Sequence, residues 1–320
     1  MQRVAVLRGG PSSEYEVSLK SGAAVLSALR KLEYPHKDIT ITKRGDWLES
    51  GISRNPENAL QAVDVVFVAL HGEYGEDGQV QRILQRLNIP FTGSNAFSSA
   101  IAFNKDLTKQ SIKDHGIKMA KHRKIDRSSL HNLQSELDYI GSTMSDELFV
   151  KPLASGSSIG ARYVGSHAHL RDTLSDILAA HDAVMVEEFI RGKEATVGVL
   201  ERFRDHDIYA LPPIEIIPPN GQAFFSNEVK YNGTTQEIVP GRFSYTEKIA
   251  LADVAVRVHK ALHLDHYSRS DFIVKDGEVY FLEVNTLPGL TSESLLPKAA
   301  AAIGLEFNDL VKHLIDTSRV

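Results

Sequence analysis

Two hydrophobic periodicities alternate along the first hundred residues. Val4-Ala5-Val6-Leu7 is a continuous apolar run and reads as a buried strand. From Val17 to Leu32 the apolar residues Val17, Ala24, Leu26 and Leu29 recur at helical intervals, and Lys37 to Thr42 alternates as a strand does. Val63 to Leu70 is apolar almost throughout, which predicts a central parallel strand, and Asp77 to Leu87 predicts a helix. Strands and helices in this alternation predict an open parallel sheet with its ligand sites at the carboxyl ends of the strands.

The pattern changes near Ala96. Helical stretches over Ser98 to His115 and His167 to Ala180 flank two strand-like runs, Phe149-Val150-Lys151 and Ala161 to Val164. A strand from Val184 to Ile190 leads into a third unit with strands over Thr196 to Glu201, Ile208 to Ile217 and Tyr267 to Val274. A long stretch without either periodicity, about Pro218 to Phe243, has the character of a functional loop. The expected fold class is therefore α/β, turning to α+β in the C-terminal half. Three domains are expected, over residues 1–95, 96–187 and 188–320.

Composition narrows the function. A chain of 320 residues is too long for one ordinary core, and 42% hydrophobic with 24% charged residues is the balance of a globular protein. A net charge of -5 gives no electrostatic reason to expect nucleic acid. The absence of cysteine excludes disulfides, thiolate nucleophiles and cysteine zinc sites. Met1-Gln2-Arg3 runs straight into the first strand, so no signal peptide fits, and no apolar run reaches the roughly 20 residues of a membrane span. We expect a cytoplasmic protein with no membrane partner.

The densest chemistry lies in Glu283-Val284-Asn285-Thr286-Leu287-Pro288-Gly289-Leu290-Thr291-Ser292-Glu293-Ser294-Leu295. Glu283 and Asn285 stand two apart on a strand and share a face. A carboxylate and an amide oxygen suit a hard cation such as magnesium. The Pro-Gly turn then bends the chain toward a helix N-terminus, where an anion can bind. Arg269 and Asp271 lie on the preceding strand, and Asp276-Gly277 marks the hairpin turn between the two. Register decides whether the four residues meet. A two-residue turn would put Asp271 and Glu283 on opposite faces. We therefore expect a three-residue loop, Lys275-Asp276-Gly277 with left-handed Gly277, which sets Arg269 opposite Glu283.

Other loops carry two readings each. Lys151 ends a strand before Gly156-Ser157-Ser158-Ile159-Gly160, which is either a plain hairpin connection or a phosphate cradle. Glu14, after Gly9-Gly10-Pro11-Ser12-Ser13, either caps the first helix or holds a substrate ammonium. His71-Gly72-Glu73-Tyr74-Gly75-Glu76-Asp77-Gly78 either caps the next helix or lines a site, and His71 lacks a second histidine at zinc spacing. Glu187-Glu188-Phe189-Ile190 and Glu194 fit an extended hinge whose backbone reads an adenine edge, or solvent-facing strand polarity. Lys230 and Tyr231 are ordinary surface residues in isolation.

Taken in order, these motifs resemble the D-alanine–D-alanine ligase family of the ATP-grasp superfamily. The resemblance rests on Gly-Gly-Pro-Ser-Ser-Glu-Tyr-Glu-Val-Ser from Gly9, His-Gly-Glu-Tyr-Gly-Glu-Asp-Gly from His71, Lys-Pro-Leu-Ala-Ser-Gly-Ser-Ser-Ile-Gly from Lys151, Glu-Glu-Phe-Ile-Arg-Gly-Lys-Glu from Glu187, and the run from Glu283. It implies an ATP-grasp fold and ATP-dependent ligation of two D-alanines through an acylphosphate. By resemblance Asp271, Glu283 and Asn285 hold two magnesium ions, with manganese as a substitute. Lys105 and Lys151 contact phosphates with Ser158 and Lys230 nearby; Glu187 and Ile190 face the adenine and Glu194 the ribose. Glu14 and His71 belong to the first D-alanine, while Arg269 and Gly289 serve the oxyanion. Ser294 and Leu295 take the second carboxylate. Glu14, Ser157 and Tyr231 match a triad fastening the long loop, and Tyr231 with its Lys-Tyr-Asn-Gly context favours the dipeptide over the D-lactate ester. A homodimer is usual among similar proteins. The chain departs from the pattern at Asn104, where Asp is common, at Ser270, where an apolar residue is usual, and in a hairpin one residue short.

Overall fold

The computed structural model describes residues 2–153, 160–219 and 235–318. Ser157, Ser158, Lys230 and Tyr231 lie outside the described residues. The first sheet has five strands: β1 (Val4–Gly9), β2 (His36–Ile41), β3 (Trp47–Glu49), β4 (Ile52–Arg54) and β5 (Val65–Val68), in the order β4-β3-β2-β1-β5. β1 pairs in parallel with β2 and β5, as the apolar runs anticipate, and β3 and β4 extend the sheet antiparallel. β1, not β5, is the inner parallel strand. β5 ends the order, with a bridge beyond it from Val66 to Phe91. Helices α1 (Tyr15–Lys31), α2 (Pro56–Ala59) and α3 (Gln79–Arg86) accompany this sheet.

Next come α4 (Ala96–Phe103) and α5 (Lys105–Ile112). Asn104 caps α5: its side-chain oxygen accepts from the N–H groups of Asp106 and Leu107, each at 3.1 Å. That is the work an Asp does at an N-cap, so Asn at this position is no structural departure. An all-antiparallel sheet follows, built from β6 (His122–Asp126), β7 (Leu148–Pro152), β8 (Arg162–Val164) and β9 (Ala183–Glu188) in the order β6-β9-β7-β8. Helices α6 (Leu133–Thr143) and α7 (Leu170–Ala180) pack on it around Leu174, Ile177 and Leu178.

The third sheet contains β10 (Lys193–Phe203), β11 (His206–Ala210), β12 (Ile214–Ile217), β13 (Gln236–Ile238), β14 (Tyr267–Lys275) and β15 (Glu278–Asn285). The single strand expected over Ile208 to Ile217 is two, because Pro212 and Pro213 cannot donate to a ladder. α8 (Tyr245–Ala261) covers one face of this sheet, and α9 (Leu295–Ala301) and α10 (Phe307–Thr317) end the chain. Leu310, Val311, Leu314 and Ile315 of α10 lie in the same core as Val4 to Leu7.

The β14–β15 hairpin overturns the expected three-residue loop. Lys275 pairs with Glu278, leaving a two-residue turn in which Asp276 (φ 52°) and Gly277 (φ 79°) are both left-handed. Asp tolerates that conformation beside Gly, and the resulting turn matches the twist of the strands. Alignment is restored by a bulge. Phe272 pairs with Phe281, but Asp271 pairs with Glu283, so Leu282 is the extra residue. Arg269 accordingly stands opposite Asn285 and not Glu283. The intended outcome, four polar residues on one face, is reached by a different device.

Candidate active site

The second and third sheets converge on a cavity of about 290 Å³. Of the residues singled out from the sequence, Lys105, Lys151, Glu187, Ile190, Glu194, Arg269, Asp271, Glu283 and Leu295 line it. They arrive from α5, β7, β9 and the hinge after it, β10, the bulged hairpin and the first turn of α9. Leu282 also lines the cavity. Consecutive residues of a regular strand face opposite ways, so Leu282 beside Glu283 is the signature of the bulge in the wall.

One wall is a buried charge cluster. The Glu187 carboxylate, 4% exposed, receives Lys151 Nζ at 2.6 Å and the ammonium of Lys109 on its other oxygen. Burial alone would raise the Glu187 carboxyl, but Lys109 and Lys151 outweigh it and hold it at about 2. Burial pulls Lys151 down, and Glu187 and Glu283 more than restore it. Lys105 is drawn below its ordinary value by burial and Lys151, although its Nζ lies 3.5 Å from Glu283 Oε2. Both lysines border the cavity, where a polyphosphate needs positive charge.

The facing wall is the hairpin. Arg269 forks onto Asp271, with Nε 3.0 Å from Oδ1 and Nη2 2.9 Å from Oδ2. Burial opposes the Arg269 charge, and the contact with Asp271 more than compensates, raising its pKa. Thr196 Oγ donates to Asp271 Oδ1 at 2.5 Å. The Asn285 side-chain oxygen accepts from the Leu287 N–H at 3.0 Å. Two carboxylates and an amide oxygen on one face form a donor set that fits a hard divalent cation.

Behind this wall His71 ties distant segments together. Its Nδ1 lies 2.9 Å from the Leu287 carbonyl oxygen, which can only accept, so Nδ1 carries the proton. Nε2 then accepts from Ser21 Oγ at 2.8 Å, and Ser21 in turn accepts the Leu290 N–H at 3.3 Å. Burial depresses the His71 pKa and keeps the ring in this neutral form, against a raising contribution from Glu14. The relay fixes both ends of Leu287-Pro288-Gly289-Leu290. Gly289 itself has no room for a side chain, since a Cβ would come 2.7 Å from Ser294 Oγ. Ser294 does not cap α9 through its side chain; its hydroxyl accepts from the Thr291 N–H at 3.0 Å. His71, Gly289 and Ser294 stand behind and beside the cavity and not on its lining.

The two readings of Glu14 separate here. It occupies the cap position of α1 but makes no capping hydrogen bond through its side chain. Its carboxylate lies against Gly72, where a Cβ would meet Oε2 at 2.9 Å. Close by is Glu76, also buried, whose Oε1 accepts the Gly72 N–H at 2.9 Å. Burial first, and then the charge of Glu14, push the Glu76 carboxyl up to about 8. Glu76, Lys109 and Thr196 were not singled out from the sequence. Lys109 carries a legible signal, because it follows Lys105 by four residues and so shares its helix face. Thr196 carries none, because only the β10–β14 pairing sets it against Asp271.

Comparison with known proteins bears on the family and the fold. Residues 111–316 match the family described as D-ala D-ala ligase C-terminus, and residues 3–58 and 49–94 match D-ala D-ala ligase N-terminus. A D-alanine–D-alanine ligase of Aquifex aeolicus is 38% identical over 318 residues, covering 98% of this chain and 99% of the relative. Among solved structures, the VanG D-Ala:D-Ser ligase of Enterococcus faecalis superposes with a TM-score of 0.85 at 29% identity, covering 99% of both chains. The D-alanine–D-alanine ligase of Bacillus anthracis complexed with ATP gives 0.81 at 32% identity, covering 99% of this chain and 97% of that one.

Proposed function

The chain belongs to the D-alanine–D-alanine ligase family, and on that premise we propose how its residues carry the reaction. It is an ATP-grasp enzyme that joins two D-alanines to D-alanyl-D-alanine at the expense of ATP, supplying a peptidoglycan precursor. The observation that carries the residue assignments is one cavity with two facing walls: lysines 105 and 151 on one, and the Arg269, Asp271 and Glu283 hairpin on the other.

In this reading the first D-alanine lies with its ammonium at Glu14, and its carboxylate attacks the γ-phosphate of ATP, forming the acylphosphate as the bond to the departing ADP breaks. Lys105 and Lys151 neutralise the transferring phosphoryl charge, a task of positioning and electrostatics and not of covalent catalysis. Asp271, Glu283 and Asn285 would hold magnesium, two ions with manganese as a substitute, which when bound offsets further phosphate charge. The second amine attacks the acylphosphate carbonyl, whose oxyanion meets Arg269 and the Gly289 N–H; the intermediate then collapses, the C–O bond to phosphate breaks, and inorganic phosphate leaves as the amine gives up its proton. The His71–Ser21 relay keeps that N–H in place. Ser294 and Leu295 receive the carboxylate of the second D-alanine. Glu187 and Ile190 meet the adenine and Glu194 the ribose. Ser158 and Lys230 complete the phosphate contacts, and Ser157 and Tyr231 fasten the long loop with Glu14.

Three domains over 1–95, 96–187 and 188–320, a homodimeric assembly and a cytoplasmic location complete the proposal. Among the described residues no helix is long and apolar enough to cross a membrane. The decisive experiment measures ADP formation that depends on D-alanine, with identification of the product and with D-serine and D-lactate as competitors for the second position. ADP release with D-alanyl-D-alanine as the main product supports the reading. ATP binding without D-alanine-dependent turnover, or mainly ester or D-alanyl-D-serine in the competition, refutes it.

A further inference from the structure

Lys109 is a fully buried ammonium that the reaction above does not use. It sits at 1% exposure on α5, one turn beyond Lys105, and does not line the cavity. Its partner is Glu187, which stands on β9 between β6 and β7 with its other oxygen on Lys151. Burying an ammonium is costly unless it is paired, so a lysine at this depth is tolerated only because of what it holds. Two ammonium groups share one carboxylate, and the trio retains a surplus positive charge.

This arrangement solves a conflict between two tasks. Glu187 and Lys151 line the same cavity. Were Lys151 the sole partner of Glu187, that pair would be satisfied internally. The lysine would then be a poorer phosphate ligand, and the carboxylate would lean toward it. Lys109, pulling from behind, satisfies the carboxylate without entering the cavity. One face of Glu187 then stays an acceptor toward the base, and Lys151 stays available to phosphate.

We propose that Lys109 is a positioning residue for nucleotide specificity, holding Glu187 as a fixed anionic acceptor that selects a 6-amino purine over a 6-oxo purine. The selection follows from chemistry: an exocyclic amine donates to a carboxylate, whereas a carbonyl oxygen in its place is repelled. The inference rests on the reading of Glu187 as base-facing and adds the residue that makes it so.

The test compares ATP with inosine triphosphate, which carries oxygen at position 6, in the wild type, Lys109→Met and Glu187→Gln. Lys109→Met is expected to lower the ratio of kcat/KM for ATP over inosine triphosphate at least tenfold. The loss should lie mainly in the KM for ATP, with the KM for D-alanine unchanged. Glu187→Gln should lower the same ratio. A merely structural lysine would lower thermal stability and leave the ratio alone. If Lys109→Met is insoluble, Lys109→Gln, which keeps a donor and drops the charge, carries the same expectation. A ratio within twofold of wild type in the Lys109 variants, beside a lowered one in Glu187→Gln, overturns the role of Lys109 and leaves the adenine reading standing. An unchanged ratio in both positions overturns the adenine reading as well.

Discussion

Replacing Glu76 with Gln is expected to stabilise the protein in a pH-dependent way. Glu76 is buried, and desolvation together with the neighbouring Glu14 raises its carboxyl from 4.5 to about 8 in the folded state. The folded protein therefore keeps a proton that the unfolded chain releases above pH 4.5. The sign follows: the contribution of Glu76 to stability is fully present below about pH 4.5 and is lost progressively as pH rises toward 8. At about 1.4 kcal/mol per pH unit, the loss is about 3 kcal/mol at pH 7 and about 5 kcal/mol by pH 8. Even the smaller figure is a large part of the 5–15 kcal/mol that usually separates folded from unfolded states. Gln cannot ionise, and its amide oxygen can still accept the Gly72 N–H that now reaches Glu76 Oε1 at 2.9 Å. Urea unfolding of the enzyme free of metal and nucleotide, at pH 5, 7 and 8, separates the two proteins, because bound ligand would otherwise mask the difference. The variant should be more stable than wild type by about 3 kcal/mol at pH 7, and the gap should close toward pH 5. Parallel pH profiles, or a variant less stable at pH 7, would refute the reasoning.

Three further outcomes follow from particular contacts. Deleting Leu282 removes the bulge but leaves Asp271 beside Glu283, so magnesium-dependent turnover should remain measurable. Deleting Val284 turns Glu283 and Asn285 to opposite faces and should abolish it; equal loss in both would contradict the register. Ser270→Ala removes a hydroxyl that is fully buried and, among the described residues, without a hydrogen-bond partner. A gain of about 1 kcal/mol in chemical denaturation is expected, within the 1–3 kcal/mol such a group costs, and a destabilised variant would count against it. Ser294→Ala should raise the KM for the second D-alanine at least tenfold and leave that for ATP alone; an unchanged second KM would remove Ser294 from the substrate site.

The sequence discloses the alternation around β1, α1 and β2 because each of these elements buries one consistent face. It does not disclose β3 and β4, three residues each, the latter wholly exposed. Helix α8 has a legible start. Ser244 and Glu247 form a complete capping box, a signature visible as Ser-x-x-Glu, ahead of Leu251, Val254, Ala255 and Val258 on its buried face. The polar residues of the site could be picked out, since carboxylates, lysines and glycines in short runs are conspicuous. Their mutual placement could not. Asp276-Gly277 identified the turn but not the bulge, because an extra residue leaves no mark on the pattern when both Leu282 and Glu283 can face a cavity. The helix spacing places Lys109 on the face of Lys105, but its partner was hidden for a related reason: Glu187 lies 78 positions away in the chain.

Helix α10 has a consequence for the order in which the protein can be made. Its Leu310, Val311, Leu314 and Ile315 complete the core under the first sheet, packed with Val4 to Leu7 and the inner face of α1. Four such side chains contribute on the order of 6–12 kcal/mol when fully buried, as much as an entire domain usually has to spare. During synthesis the segment that carries Glu14 and His71 emerges long before α10, and it lacks that contribution until α10 has left the ribosome. The nascent N-terminal region must therefore wait, partly open, for its own closing helix. The substrate-side half of the site is thus completed only once α10 has emerged, whereas the strands carrying Lys151 and Glu187 rest on a core of their own.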